Sequence, residues 1–135
     1  MTEGQRPLQL ILARNLMAGL STPAFLVDDQ GVLIFYNEAA GAVLGKRFEE
    51  IGRMTPDEWG AAFGPIDAEG GQLPFEELPL TIALRRNRPA HSRFRIRSLD
   101  GSAHEIQASA IPIVTTEGVR GAMAIFWPVN DAEAD

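Results

Sequence analysis

The sequence predicts one α+β domain: an apolar N-terminal helix, a β-hairpin, several short helices and a three-stranded antiparallel meander. Three observations lead there. Its 135 residues, 45% hydrophobic and 22% charged, have the size and balance of a single globular core. Apolar residues recur first at helical spacing and afterwards in short runs separated by turn residues. The last run, Ala122-Met123-Ala124-Ile125-Phe126-Trp127, is apolar on both of its faces, as a central strand is when both sides of its sheet are covered.

Each element follows in order. Leu8, Leu12, Leu16 and Leu20 are spaced four apart, with Ile11 beside them, on a helix opened by Pro7 and ended by Ser21-Thr22-Pro23; Leu10 and Met17 lie partly off that stripe. Residues 24–27 and 32–36 are two apolar runs joined by Asp28-Asp29-Gln30-Gly31, a hairpin. Asn37 is placed to cap a helix carrying Ala40, Val43 and Leu44, and Gly45 stands where a left-handed C-terminal residue is wanted. A short turn runs through Phe48 and Ile51. Thr55-Pro56-Asp57-Glu58 is a capping box with proline at the first helical position, so Trp59 to Phe63 is helical. After the glycine-rich and acidic loop 64–71, a helix begins between Phe75 and Pro79 and runs to Arg86. Leu80 and Leu84 mark its buried side, and Asn87 and Pro89 stop it. Strands at about 90–99, 103–114 and 119–127 turn at Asp100-Gly101 and Glu117-Gly118. The chain divides into a helix at 1–20, which dimerises or caps the sheet, a domain at 21–129, and an acidic tail at 130–135.

A net charge of -6 disfavours nucleic acid as a partner. Residues 78–99 nevertheless hold six arginines, Arg85, Arg86, Arg88, Arg93, Arg95 and Arg97, and no acid. Most of this is a helix C-terminus and the solvated face of a strand; an acidic partner or anionic ligand is the functional alternative. With no cysteine there is no disulfide, thiolate nucleophile, zinc knuckle, iron–sulfur cluster or flavin–thiol adduct. No membrane span or signal core is visible, so a cytoplasmic location without membrane attachment is expected.

The order of elements resembles the PAS sensor domains, especially those of bacterial sensor kinases. The resemblance covers residues 20–129. It rests on Phe25-Leu26-Val27-Asp28-Asp29-Gln30-Gly31, Asn37-Glu38-Ala39-Ala40 and Leu44-Gly45; on Asp67, Gly70 or Gly71, Leu73-Pro74, Glu76-Glu77, Pro79-Leu80 and Ala83-Leu84; and on Leu99-Asp100-Gly101-Ser102 with Ala110-Ile111-Pro112-Ile113. It implies a five-stranded antiparallel sheet with short helices on one face and an N-terminal helix. It also implies a non-enzymatic sensory module that dimerises, passes signal by contact to an unidentified signalling protein, and holds a small apolar ligand. The family's usual Asp-Ile-Thr or Asp-Val-Thr exit is replaced by Trp127-Pro128-Val129-Asn130-Asp131.

Strand alternation and this resemblance place Leu26, Leu84, Phe94, Ile96, Ile106, Ala108, Ala110, Ala122, Ala124 and Phe126 at the ligand pocket. The alanines on that face either leave room for an apolar molecule or simply let the helices sit close. Leu8, Ile11, Leu12 and Leu16, with Met123, Ile125 and Trp127 on the opposite sheet face, form the expected dimer interface. His91 is the candidate axial ligand of a rival reading, a haem gas or redox sensor. In a second rival, a cone-shaped isomerase-like enzyme, a tyrosine-based oxyanion site would depend on Tyr36, the single tyrosine. Ser102, Asp100 and His104 crowd one hairpin with nothing to orient them catalytically. The acidic pairs Asp28-Asp29, Glu49-Glu50 and Glu76-Glu77 read as turns and helix starts, and no metal-ligand spacing occurs.

Overall fold

The computed structural model describes residues 8–67 and 69–129. The helix opening at Pro7, the start of the 1–20 segment and the 130–135 tail lie outside the described residues. Helix α1 (Leu8–Ala18) precedes β1 (Ala24–Asp28) and β2 (Leu33–Tyr36). Then come α2 (Glu38–Leu44), α3 (Phe48–Ile51), α4 (Pro56–Phe63), a 3-10 turn (Phe75–Glu77) and α5 (Pro79–Arg86). Strands β3 (Ala90–Arg97), β4 (Ala103–Thr115) and β5 (Gly118–Pro128) complete the chain. They form one five-stranded antiparallel sheet in the order β2-β1-β5-β4-β3. The two-faced apolar β5 therefore lies at its centre.

Local chemistry sets the element ends. Asn37 Oδ1 accepts the Ala40 amide at 3.0 Å and caps α2, which closes on a left-handed Gly45. Thr55 and Glu58 exchange the two bonds of a capping box at α4, with Pro56 at its first position. Asn87, at φ 52°, is the one non-glycine residue with positive φ among the described residues, and it ends α5. In the β1–β2 pair, Leu26 faces Phe35 while Val27 faces Leu33, so Ile34 is an inserted bulge residue. Ile34 and Phe35 consequently both join the apolar cluster beneath α1.

The sheet separates two cores. On one face, Val27, Leu33, Tyr36, Phe94, Ile96, Ile106, Ala108, Ala110, Ala122, Ala124 and Phe126 pack with Leu44, Trp59, Phe63, Leu80 and Ala83 from the helices. On the other, Leu10 and Met17 of α1 are buried with Ala24, Leu26, Ile34 and Phe35, and Met123 and Ile125 pack against them. The docking seam of α1 is thus Leu10, Ala13 and Met17, spaced three and four apart. The leucine stripe favoured by the sequence faces away: Leu8, Ile11, Leu12 and Leu16 are 45–64% exposed. Because α1 carries apolar residues on both sides, spacing alone did not select the side that docks.

Tyr36 is buried, and its hydroxyl donates to the Lys46 carbonyl at 2.6 Å. Burial, then the charges of Glu50 and Glu49, push its phenol from the ordinary 10.0 up to about 12. Since the folded state holds this proton more tightly, the associated stability is complete below pH 10. It is expected to decline between pH 10 and about 12, where only the unfolded chain is ionised, and to change no further above that. Tyr36 is the sole tyrosine, so phenolate absorbance of the native protein reports it directly. A native-state transition near pH 10 would contradict this environment.

Candidate ligand cavity and its outer vestibule

Alternation along β3, β4 and β5 turns Phe94, Ile96, Ile106, Ala108, Ala124 and Phe126 toward the helices, where they line an apolar cavity of about 50 Å³. Helix α4 supplies Trp59 and Phe63 from consecutive turns, and α5 with its approach supplies Leu78, Pro79 and Leu80. Phe25 and Pro65 complete the wall. Phe25 lies 5.2 Å from the Phe126 ring and 6.0 Å from Phe63, centroid to centroid. The space is a third of the ~150 Å³ apolar cavity that admits benzene, so it holds a short aliphatic group without rearrangement.

Four residues expected at this cavity are elsewhere. Leu26 points to the opposite face, beneath α1, and Phe25 takes the inward position. The reason is parity: Phe25 pairs with inward Ala124 and Leu26 with outward Met123, and a shift of one residue reverses every side chain of a strand. Ala110 and Ala122 are fully buried in the packed core without lining the space. Helix α5 packs on β4 and β5, and its own Ala83 is completely buried, so part of the alanine surface serves close helix approach. Leu84 lines an outer vestibule instead. Of the lining residues not anticipated, Trp59 and Phe63 were signalled by their four-residue spacing on α4; Pro65, Leu78 and Pro79 come from loop and helix-start geometry that carries no periodic signal.

The vestibule has a volume of about 200 Å³ and shares Trp59 and Leu80 with the cavity, so these two side chains stand between the spaces. The Trp59 Nε1–H donates to the Gly31 carbonyl at 3.0 Å, which fixes the indole. Asp29, Gln30, Phe75, Thr81 and Arg85 also line the vestibule. The Arg85 guanidinium lies 5.6 Å over the Phe75 ring.

His91 does not reach this site. It shares the parity of Arg93 and Arg95, lies exposed on the outer face, contacts Gln107 at 3.1 Å and sits 6.1 Å from the Trp127 ring. An axial ligand for haem in the cavity would have to project from the other side of β3, so His91 does not fit that role. At the β3–β4 turn, Asp100 accepts from the hydroxyls of Ser102 and Ser98 and from the Ser102 amide at 2.9 Å. These bonds, the Ser102 hydroxyl first, hold its carboxyl far below the usual carboxylate range. The serine hydroxyls are thereby committed to Asp100, a turn-stabilising arrangement. Of the basic strand, Arg93 pairs with Glu105. Trp127 is 36% exposed, whereas Met123 and Ile125 are half-buried under α1.

No family model matches the chain, and no curated protein does. Solved structures do. The PAS domain of Bordetella pertussis BvgS superposes with a TM-score of 0.58 at 17% identity, over 93% of this chain and 90% of that one. A PAS domain from Colwellia psychrerythraea gives 0.58 at 15% identity, covering 90% and 98%. The PAS domain of the fruit-fly ELK potassium channel gives 0.66 at 12% identity, covering 89% and 96%. The chain therefore has the PAS fold: an open five-stranded antiparallel sheet with its small helices over the hollow face. No helix among the described residues is long and apolar enough to cross a membrane.

Proposed function

We propose that this chain is a non-enzymatic PAS sensory module that works as a homodimer, takes a small apolar group into its cavity and presents a changed α1 surface to a signalling protein. The observation that carries this reading is the hub formed by Asn37. Its Oδ1 accepts the Ala24 amide at 3.1 Å, one residue from the cavity wall at Phe25, and caps α2. Its Nδ2 donates to the carbonyls of Met17, in the last turn of α1, at 3.0 Å and of Thr22, in the connection to β1, at 2.8 Å. One buried amide thus joins the cavity-bearing strand to the N-terminal helix.

Helix α1 is suited to two states. Burial of Leu10 and Met17 contributes roughly 1.5–3 kcal/mol each, to which cover of Leu26, Ile34 and Phe35 on the sheet adds. A ligand with a comparable difference in affinity shifts such an equilibrium. The exposed face of α1, Leu8, Ile11, Leu12 and Leu16, is the surface offered to a second copy, with Trp127 and Ile111 exposed on the uncovered part of the sheet.

Size-exclusion chromatography with light scattering is expected to give a dimer, and Leu12→Glu a folded monomer. A parent that stays monomeric at high concentration removes the dimer from the reading. Xenon under pressure is expected to shift the methyl resonances of Ala108 and Ala124 selectively. Unshifted methyls would show that the cavity admits nothing.

A further inference from the structure

We propose that cavity and vestibule form one site for a zwitterionic aliphatic α-amino acid, its ammonium toward Asp29, its carboxylate toward Arg85 and its side chain passing Leu80 into the apolar space. This rests on the cavity reading above and names the ligand class for it.

The vestibule contains one acidic and one basic side chain, Asp29 and Arg85, so a ligand of single charge meets a like charge there whichever sign it carries. A zwitterion matches both. Arg85 is held in place by its position over Phe75, itself a vestibule residue, and no carboxylate lies within ion-pair distance of it among the described residues. The adjoining cavity is apolar and takes only a few carbons, which excludes a charged or large aromatic side chain and suits a branched aliphatic one. Of the two partition residues, Trp59 is fixed by its bond to Gly31 and Leu80 has no such tether, so Leu80 is the side chain that turns aside. Thr81 lines the vestibule beside Leu80 and is 4% exposed, and its hydroxyl is the one buried side-chain polar atom without a partner among the described residues. An orphaned buried hydroxyl costs stability unless something occupies its site.

The test is calorimetric titration of the full chain with four probes sharing one branched tail: L-leucine, isocaproate, isoamylamine and isoamyl alcohol. Leucine is expected to bind tightest, and Arg85→Gln and Asp29→Asn are each expected to weaken it about tenfold, as loss of a charge-assisted bond does. Arg85→Gln should leave isoamylamine no weaker, and Asp29→Asn should leave isocaproate no weaker. Both positions are exposed, so these variants keep the fold. If isoamyl alcohol binds as tightly as leucine, or both variants bind leucine as the parent does, the assignment is overturned and the cavity reading stands. Failure of all four probes also overturns it, and the xenon experiment then judges the cavity separately.

Discussion

Asn37→Asp is expected to release α1 while the five-stranded sheet stays assembled. The substitution keeps an oxygen where Oδ1 now accepts the amides of Ala24 and Ala40, and aspartate caps helices as well as asparagine does. What changes is the other half of the side chain. The amide nitrogen that donates to Met17 and Thr22, with a longer 3.4 Å contact to Leu20, becomes a carboxylate oxygen facing carbonyl oxygens inside the protein. Attraction becomes repulsion, and the seam of Leu10, Ala13 and Met17 is too narrow to hold the helix against it. Hydrogen exchange should therefore accelerate throughout α1 and remain slow in β5 and β4. Asn37→Ala removes the cap as well, which costs about 1 kcal/mol. It also leaves the buried groups around it unsatisfied at about 1–3 kcal/mol each, so an overall loss of about 3 kcal/mol or more is expected. Unchanged α1 protection in Asn37→Asp would show that the hub does not anchor the helix.

Gly121→Ala is expected to be the most damaging single methyl addition in the sheet. A Cβ there would lie 2.5 Å from the Val27 carbonyl oxygen and 2.8 Å from Leu10 Cδ2. The first obstacle is backbone, held in the β1–β5 ladder where Asp28 pairs with Gly121, so it cannot turn aside as a side-chain tip would. Overpacking of this kind costs about 1–3 kcal/mol, and relief requires separating β1 from β5 or displacing Leu10 and α1. A drop in the denaturant midpoint together with faster exchange in α1 and β1 is the expected result. Gly60→Ala provides the contrast: a Cβ there meets nothing within 4 Å, the residue is inside α4, and the change should stabilise by about 0.5–1 kcal/mol. If both alanines behave alike, the close contact between β5 and β1 is not the constraint described.

These two sites differ in how visible they were beforehand. Asn37 announced its cap because capping is local: a polar residue, three residues of helix and a glycine behind them. Its grip on α1 spans 15 to 20 residues of chain and leaves no local trace. Gly121 gave no signal at all, since its constraint comes from Val27 and Leu10, which are distant in sequence. The outward place of His91 is legible in the sequence, because its even spacing from Arg93 and Arg95 puts it on the solvated face of β3.

Residue chemistry by itself determined the elements, their order and the central place of β5. Capping, turn formation and two-residue alternation act over a few neighbours, and a strand apolar on both faces has to be covered twice. Only the tertiary structure decided which of Phe25 and Leu26 meets the cavity and which apolar side of α1 docks. It also decided how much of the alanine surface α5 consumes, and that Asp29 and Arg85 share a vestibule. Each of these depends on register or on approach between segments far apart in the chain, where a shift of one residue or a small change in helix distance reverses the outcome without altering any local pattern.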